Sequence, residues 1–185
     1  KNGLKTQKNA YSLPHGGVVR RGGFNYVAEA KGTASGSELV VNGTFASDIS
    51  GWTDKSVGSG SSIAHATNLM NIVSVDADNY GWAEDQITTV AGRRYVMSFI
   101  IGTGAINLQI GTTTEGVDIL ASTSYAVGTH TIEFIALSTS TFIGFNHTTG
   151  ATHTLDTVSV KVATQDEKIR LVRFEFSVTQ AYILE

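Results

Sequence analysis

Ile106, Leu108 and Ile110 alternate without a break with Asn107 and Gln109. Successive side chains of an extended chain point to opposite faces, so this run can bury one face only as a strand. The same period of two recurs at Tyr95, Met97, Phe99 and Ile101, at Ile132, Phe134 and Ala136, and at Val158, Val160 and Val162. No stretch of three turns carries an apolar stripe of helical spacing. Thr, Ser and Gly separate the runs at intervals of about 8–12 residues, the rhythm of a sandwich or barrel. Residues 37–163 are therefore expected to be all-β and to form a β-sandwich, with Gly102-Thr103-Gly104 as a hairpin turn.

The flanks differ in charge. Residues 1–31 carry six basic side chains against Glu29, a balance of +5, whereas residues 32–163 carry four basic and eleven acidic ones, a balance of −7. The split predicts two units, and the acidic middle argues against phosphate contacts there. Hydrophobic residues at 41% suffice for a core, and no apolar run reaches the ~18–20 residues of a membrane-spanning helix. With no cysteine there are no disulfides or thiolate metal sites. The opening KNGLKTQKNA lacks an apolar leader core, and the chain stops at Glu185 within a strand-like run, so it reads as a piece of a longer polypeptide.

Residues 1–36 read as a first arm, with a short helix or extended stretch before Pro14 and strands at Val18–Arg21 and Phe24–Ala30. Gly16-Gly17 and Gly22-Gly23 read as turns. KGTASGS (31–37) is expected to be a flexible connector. Residues 164–185 read as a hairpin, on the alternation of Val172, Phe174, Phe176 and Val178, that continues the first arm.

Within 37–163 the landmarks come in a telling order. Asn42-Gly43-Thr44-Phe45, Gly51-Trp52, Gly81-Trp82 and Gly92-Arg93-Arg94-Tyr95 are followed by Gly128-Thr129-His130 and Asp156-Thr157-Val158. This order resembles the jelly-roll carbohydrate-binding modules. The resemblance implies a jelly roll, with a possible structural calcium at Asp156 and Glu38, although Ala46 stands where such modules often carry an acid. Asp156 as a hydrogen-bonding cap is the alternative. Sugar recognition needs exposed aromatic faces beside hydroxyl partners, and Tyr80, Trp82, Asn79, Asp78 and Glu84 are the best concentration of them. Against this, Trp82 could begin a strand and face the core, as Trp52 is expected to do.

With the middle removed, the arms read LPHGGVVRRGGFNYVAEAK and KIRLVRFEFSVTQAYILE. They resemble the N-terminal region of the tail tubular or nozzle proteins of short-tailed bacteriophages, with Gly22 where proline is usual. The resemblance implies a virion structural subunit, located in the phage tail, whose jelly roll is inserted into a split β unit of a larger tail protein. It further implies a homo-oligomeric ring traversed by genome DNA, with adaptor or portal proteins and tail fibres as partners. Arg20 and Arg21 would then make subunit-interface ion pairs, and the insertion could meet a host-surface glycan. The alternative is a non-catalytic module of a carbohydrate-active or adhesion protein.

An enzyme is not expected. The histidines at 15, 65, 130, 147 and 153 form no metal-ligand spacing and read as surface or turn residues. The carboxylate pairs Asp76/Asp78 and Glu84/Asp85 read as solvated loop positions rather than the converging acids of a glycosidase.

Overall fold

A computed structural model describes residues 10–12, 18–20 and 32–164. The chain divides into two compact units, one of residues 34–163 and one of residues 1–33 with 164–185. In the second unit, β1 (Ala10–Ser12) and β2 (Val18–Arg20) pair antiparallel, with Tyr11 opposite Val19. Ala10–Ser12 is thus extended, one of the two conformations its sequence allowed. The expected strand at Phe24–Ala30, the hairpin of 168–185 and the side chains of Arg20 and Arg21 lie outside the described residues.

The strands that follow are β3 (Thr33–Ser35), β4 (Thr53–Asp54), β5 (Ser62–Ala66), β6 (Leu69–Ser74), β7 (Gly81–Thr88) and β8 (Arg94–Thr103). After them come β9 (Ile106–Gly111), β10 (Leu120–Tyr125), β11 (Gly128–Ile135), β12 (Ser140–His147) and β13 (Ala151–Thr164). Five form one sheet in the order β10-β9-β12-β7-β4, and five form the other in the order β11-β8-β13-β6-β5, with β3 also paired to β13. Residues 37–163 are all-β, and no helix occurs among the described residues. None is therefore long and apolar enough to cross a membrane.

The alternating runs turn their apolar members inward as their period demands. Met97, Phe99 and Ile101 on β8, Ile106, Leu108 and Ile110 on β9, and Val158 and Val160 on β13 are all buried in one core. Phe45 and Trp52 close it, with ring centroids 5.6 Å apart and Phe145 6.1 Å from the indole. Burying each such aromatic or aliphatic side chain contributes about 1.5–3 kcal/mol. In β13 a bulge between Asp156 and Ser159, with Thr157 at φ 49°, moves the inward positions from His153 and Leu155 to Val158 and Val160.

Two expectations about connections are corrected. Gly102-Thr103-Gly104 is no hairpin: β8 and β9 belong to different sheets, so the chain crosses the core there, with Gly104 at φ +62°. A run of alternating residues marks a strand but not its partner. Part of the connector at 31–37 is strand β3, because the edge groups of β13 supply it with hydrogen bonds.

Candidate functional site

β9, β12 and β7 lie side by side in the middle of the five-stranded sheet. Their inward positions hold Leu108 and Ile110, Ile143 and Phe145, and Ala83 and Ile87. The intervening residues therefore share the opposite, outward face. Register sets these in rows: Asn107, Asn146 and Trp82, then Gln109, Gly144, Glu84 and Thr53, then Gly111, Phe142 and Gln86. The backbone N–H of Lys55 donates to Trp82 O at 2.9 Å, so Lys55 continues the first row beyond β4.

Trp82 thus begins a strand but turns away from the core, and the core-facing reading is corrected. Its indole leans over Gly144, where an added methyl group would stand 2.8 Å from Nε1. The Tyr80 ring lies beside it, centroids 6.1 Å apart and planes tilted by 32°. The indole Nε1 is buried and has no hydrogen-bond partner. Around it runs a chain of amides. Asn107 Nδ2 donates to Asn146 Oδ1 at 3.3 Å, Asn146 Nδ2 reaches Gln109 Oε1 at 3.5 Å, and Gln109 Nε2 donates to Glu115 O at 2.9 Å.

Although it faces outward, this patch is covered. Trp82 is 8% exposed, Glu84 4%, Gln109 6% and Asn146 7%. The loop of residues 112–119 between β9 and β10 folds back over it. Thr114 Oγ1 donates to Glu84 Oε1 and Glu115 N donates to Glu84 Oε2, both at 2.6 Å. Close approach of two glycines allows the fold-back, since a Cβ on Gly111 would overlap the backbone of Gly116 at 2.3 Å. At the loop's base Asp118 accepts Thr112 N and Thr112 Oγ1, both at 2.8 Å, and these bonds hold its carboxyl below the usual range.

The sequence-derived candidates separate accordingly. Tyr80, Trp82 and Glu84 meet at this patch. Asn79 and Asp78 sit in the β6–β7 turn, where Asn79 Nδ2 donates to both oxygens of Asp76 and Asn79 Oδ1 accepts Ser59 N. Asp78 N donates to Asp76 Oδ1. Sequence reasoning missed Asn107, Gln109, Asn146 and Lys55. The first two were visible as the amide face of the cleanest alternating strand.

Glu84 and Asp85 are not solvated loop residues. They are neighbours in β7, both buried, and point to opposite faces, so they cannot converge on one bond. Burial raises the Asp85 carboxyl to about 6, and its Oδ2 has no partner. His147 and His153 are not surface histidines either. Their rings stack 3.7 Å apart and are 2% and 9% exposed.

The residues proposed for calcium do not fit it. Glu38 Oε1 accepts Leu39 N, Val40 N and Val160 N, and Oε2 accepts Ser159 Oγ at 2.5 Å. Both oxygens face donors, which a cation would have to displace. Asp156 Oδ1 accepts Thr157 Oγ1 at 2.9 Å, within the β13 bulge. Among the described residues no three His, Asp or Glu side chains gather as a metal site would require.

A groove of about 590 Å³ opens elsewhere, between the edge strands β10 and β11. Ile119, Leu120, Ile132, Phe134 and Leu137 line it, with the 3.0 Å Arg94–Glu133 ion pair on its wall. Its lining is mostly apolar, and its charged groups are engaged: Arg94 with Glu133, and Asp118 with Thr112.

No protein-family model matches the chain, and no curated protein does. Solved structures do resemble it. The N-terminal cellulose-binding domain of Cellulomonas fimi β-1,4-glucanase C is 16% identical over 70% of this chain and 100% of that one, with a TM-score of 0.54. A family 4 carbohydrate-binding module is 15% identical over 66% of this chain and 99% of its own, at 0.51. The enzymatically active domain of tailspike protein 4 of bacteriophage CBA120 is 13% identical over 68% of this chain, at 0.52. This chain spans only 21% of that tailspike structure. At such identities the likeness is one of fold, the jelly-roll sandwich.

Proposed function

We propose that residues 34–163 act as a non-catalytic carbohydrate-binding module, which takes a glycan across the outward face of the five-stranded sheet. The observation that carries the reading is the row of Asn107, Asn146 and Trp82, with Tyr80 beside it. An aromatic plane accepts the C–H face of a sugar ring, and neighbouring amides can both donate to and accept from its hydroxyls. Binding-module neighbours of the same fold favour this reading over a catalytic one. Glu84 supports the patch by anchoring its loop.

Titration of the full chain with cello-, xylo- and mannohexaose tests the reading. Trp82→Ala should abolish heat of binding, and Asn146→Ala should weaken it about tenfold, the loss of one to two hydrogen bonds. Far-ultraviolet circular dichroism checks that both variants fold. Absence of binding to any of these sugars at millimolar concentration would end the proposal.

The arms carry a second reading, a nozzle-type tail subunit in a virion ring that displays this module toward host glycans or tail fibres. Its support is the sequence of residues 13–31 and 168–185. Cryo-electron microscopy of the source particle decides it, and finding the chain outside a tail ring would remove it.

A further inference from the structure

The outward patch is built for a ligand yet closed, and its closure is local. Three hydrogen bonds tie the loop to this face through residues 114 and 115: Thr114 Oγ1 and Glu115 N to the Glu84 carboxylate, and Gln109 Nε2 to Glu115 O. Glu84 and Gln109 flank Gly144 on the two neighbouring strands, and the Trp82 indole lies over Gly144. The loop tip is therefore anchored on both sides of the position over which the indole lies. Glu115 holds φ 58°, a left-handed conformation that a glutamate adopts only when its surroundings compensate. Beneath, the Trp82 Nε1–H is a buried donor with no acceptor. A buried donor without a partner is costly, and an arriving hydroxyl oxygen would satisfy it.

We infer that residues 112–118 form a lid latched by Glu84, and that the lid lifts to admit the glycan to Trp82. This rests on the reading of the face as a carbohydrate site and adds its regulation. Affinity then includes the cost of opening, because apparent affinity scales with the open fraction. The two bonds to the carboxylate are charge-assisted and so are the strongest part of the latch.

The test uses the full chain and two substitutions of opposite effect. Thr114→Ala removes one latch bond and should bind the sugar that the wild type prefers about three- to tenfold more tightly. Amide hydrogen exchange at Glu115 should accelerate by a similar factor, in the absence of sugar. Glu115→Asn keeps the N–H and suits the left-handed conformation better. It should slow that exchange and weaken binding. In two-dimensional NMR, one of the two indole N–H resonances, that of Trp82, should move on sugar addition. If Thr114→Ala speeds the exchange but leaves binding unchanged or weaker, the loop is a fixed wall and the lid is wrong while the carbohydrate reading stands. If no sugar binds wild type or either variant, both fall together.

Discussion

Asp85 shows how one residue can work against the fold that contains it. Its side chain occupies an inward position of β7, opposite Ile143 in the neighbouring strand, and it lacks a partner for Oδ2. Burial favours the protonated form, which raises the carboxyl from 3.8 to about 6 despite a hydrogen bond from the backbone of Gln86. The folded protein thus holds a proton that the unfolded chain releases above pH 3.8. That contribution to stability is complete below 3.8 and is lost as pH rises through about 6, an effect on the order of 3 kcal/mol. Asp85→Asn should accordingly gain stability over wild type at pH 7.5 and little at pH 4, read by urea unfolding at both. An equal gain at the two pH values would show that ionisation is not the cause. At the outward face, Gly144→Ala should weaken sugar binding far more than stability, because the added methyl pushes against the Trp82 indole rather than the core.

Between elements, the stacked histidines join the sheets at one end of the sandwich. His147 ends β12 in one sheet, and its Nε2–H donates to Ile72 O of β6 in the other, at 2.8 Å. His153 on β13 stacks on it and bonds through Nδ1 to Ala105 O at 2.8 Å. Burial, joined by the nearby His153, lowers the His147 pKa from 6.5, although the carbonyls of Ile72 and Thr149 would both accept from the protonated ring. The unfolded chain takes up this proton first as pH falls, so stability is full above 6.5 and declines below it. Asp85 acts in the opposite sense between about 4 and 6. In an Asp85→Asn background, the thermal midpoint should therefore fall more steeply from pH 6.5 to 5 than in wild type. His147→Asn added to that background should flatten the profile. Another close contact binds a turn to a strand. A Cβ on Gly43 would stand 1.9 Å from Val158 O, so Gly43→Ala should cost about 1–3 kcal/mol in chemical denaturation.

At the scale of the whole molecule, from β3 onward the chain passes between sheets at every connection except β5–β6 and β9–β10. Sequence showed which residues share a face, since Ile106, Leu108 and Ile110 could be buried in no other way. It did not show which face is covered. β7 has five successive buried residues, Gly81–Asp85, because the core covers one side and a loop some thirty positions away covers the other. The period was therefore readable while Trp82, Glu84 and the histidine pair were not: their burial depends on partners distant in sequence. Such non-local pairing also sets the folding rate. Stopped-flow refolding of the full chain should show a sandwich phase in milliseconds to seconds rather than microseconds. The Glu38 carboxylate has a consequence of its own. It grips Ser159 and Val160 across 121 and 122 positions of sequence, and Leu39 N donates to Val160 O at 3.0 Å. Entry to the sandwich and departure from it are thus side by side, about one strand spacing apart. A fold with that doorway is portable: it can be spliced into a surface turn of an unrelated host while parting the host's backbone by little more than the width of a ribbon.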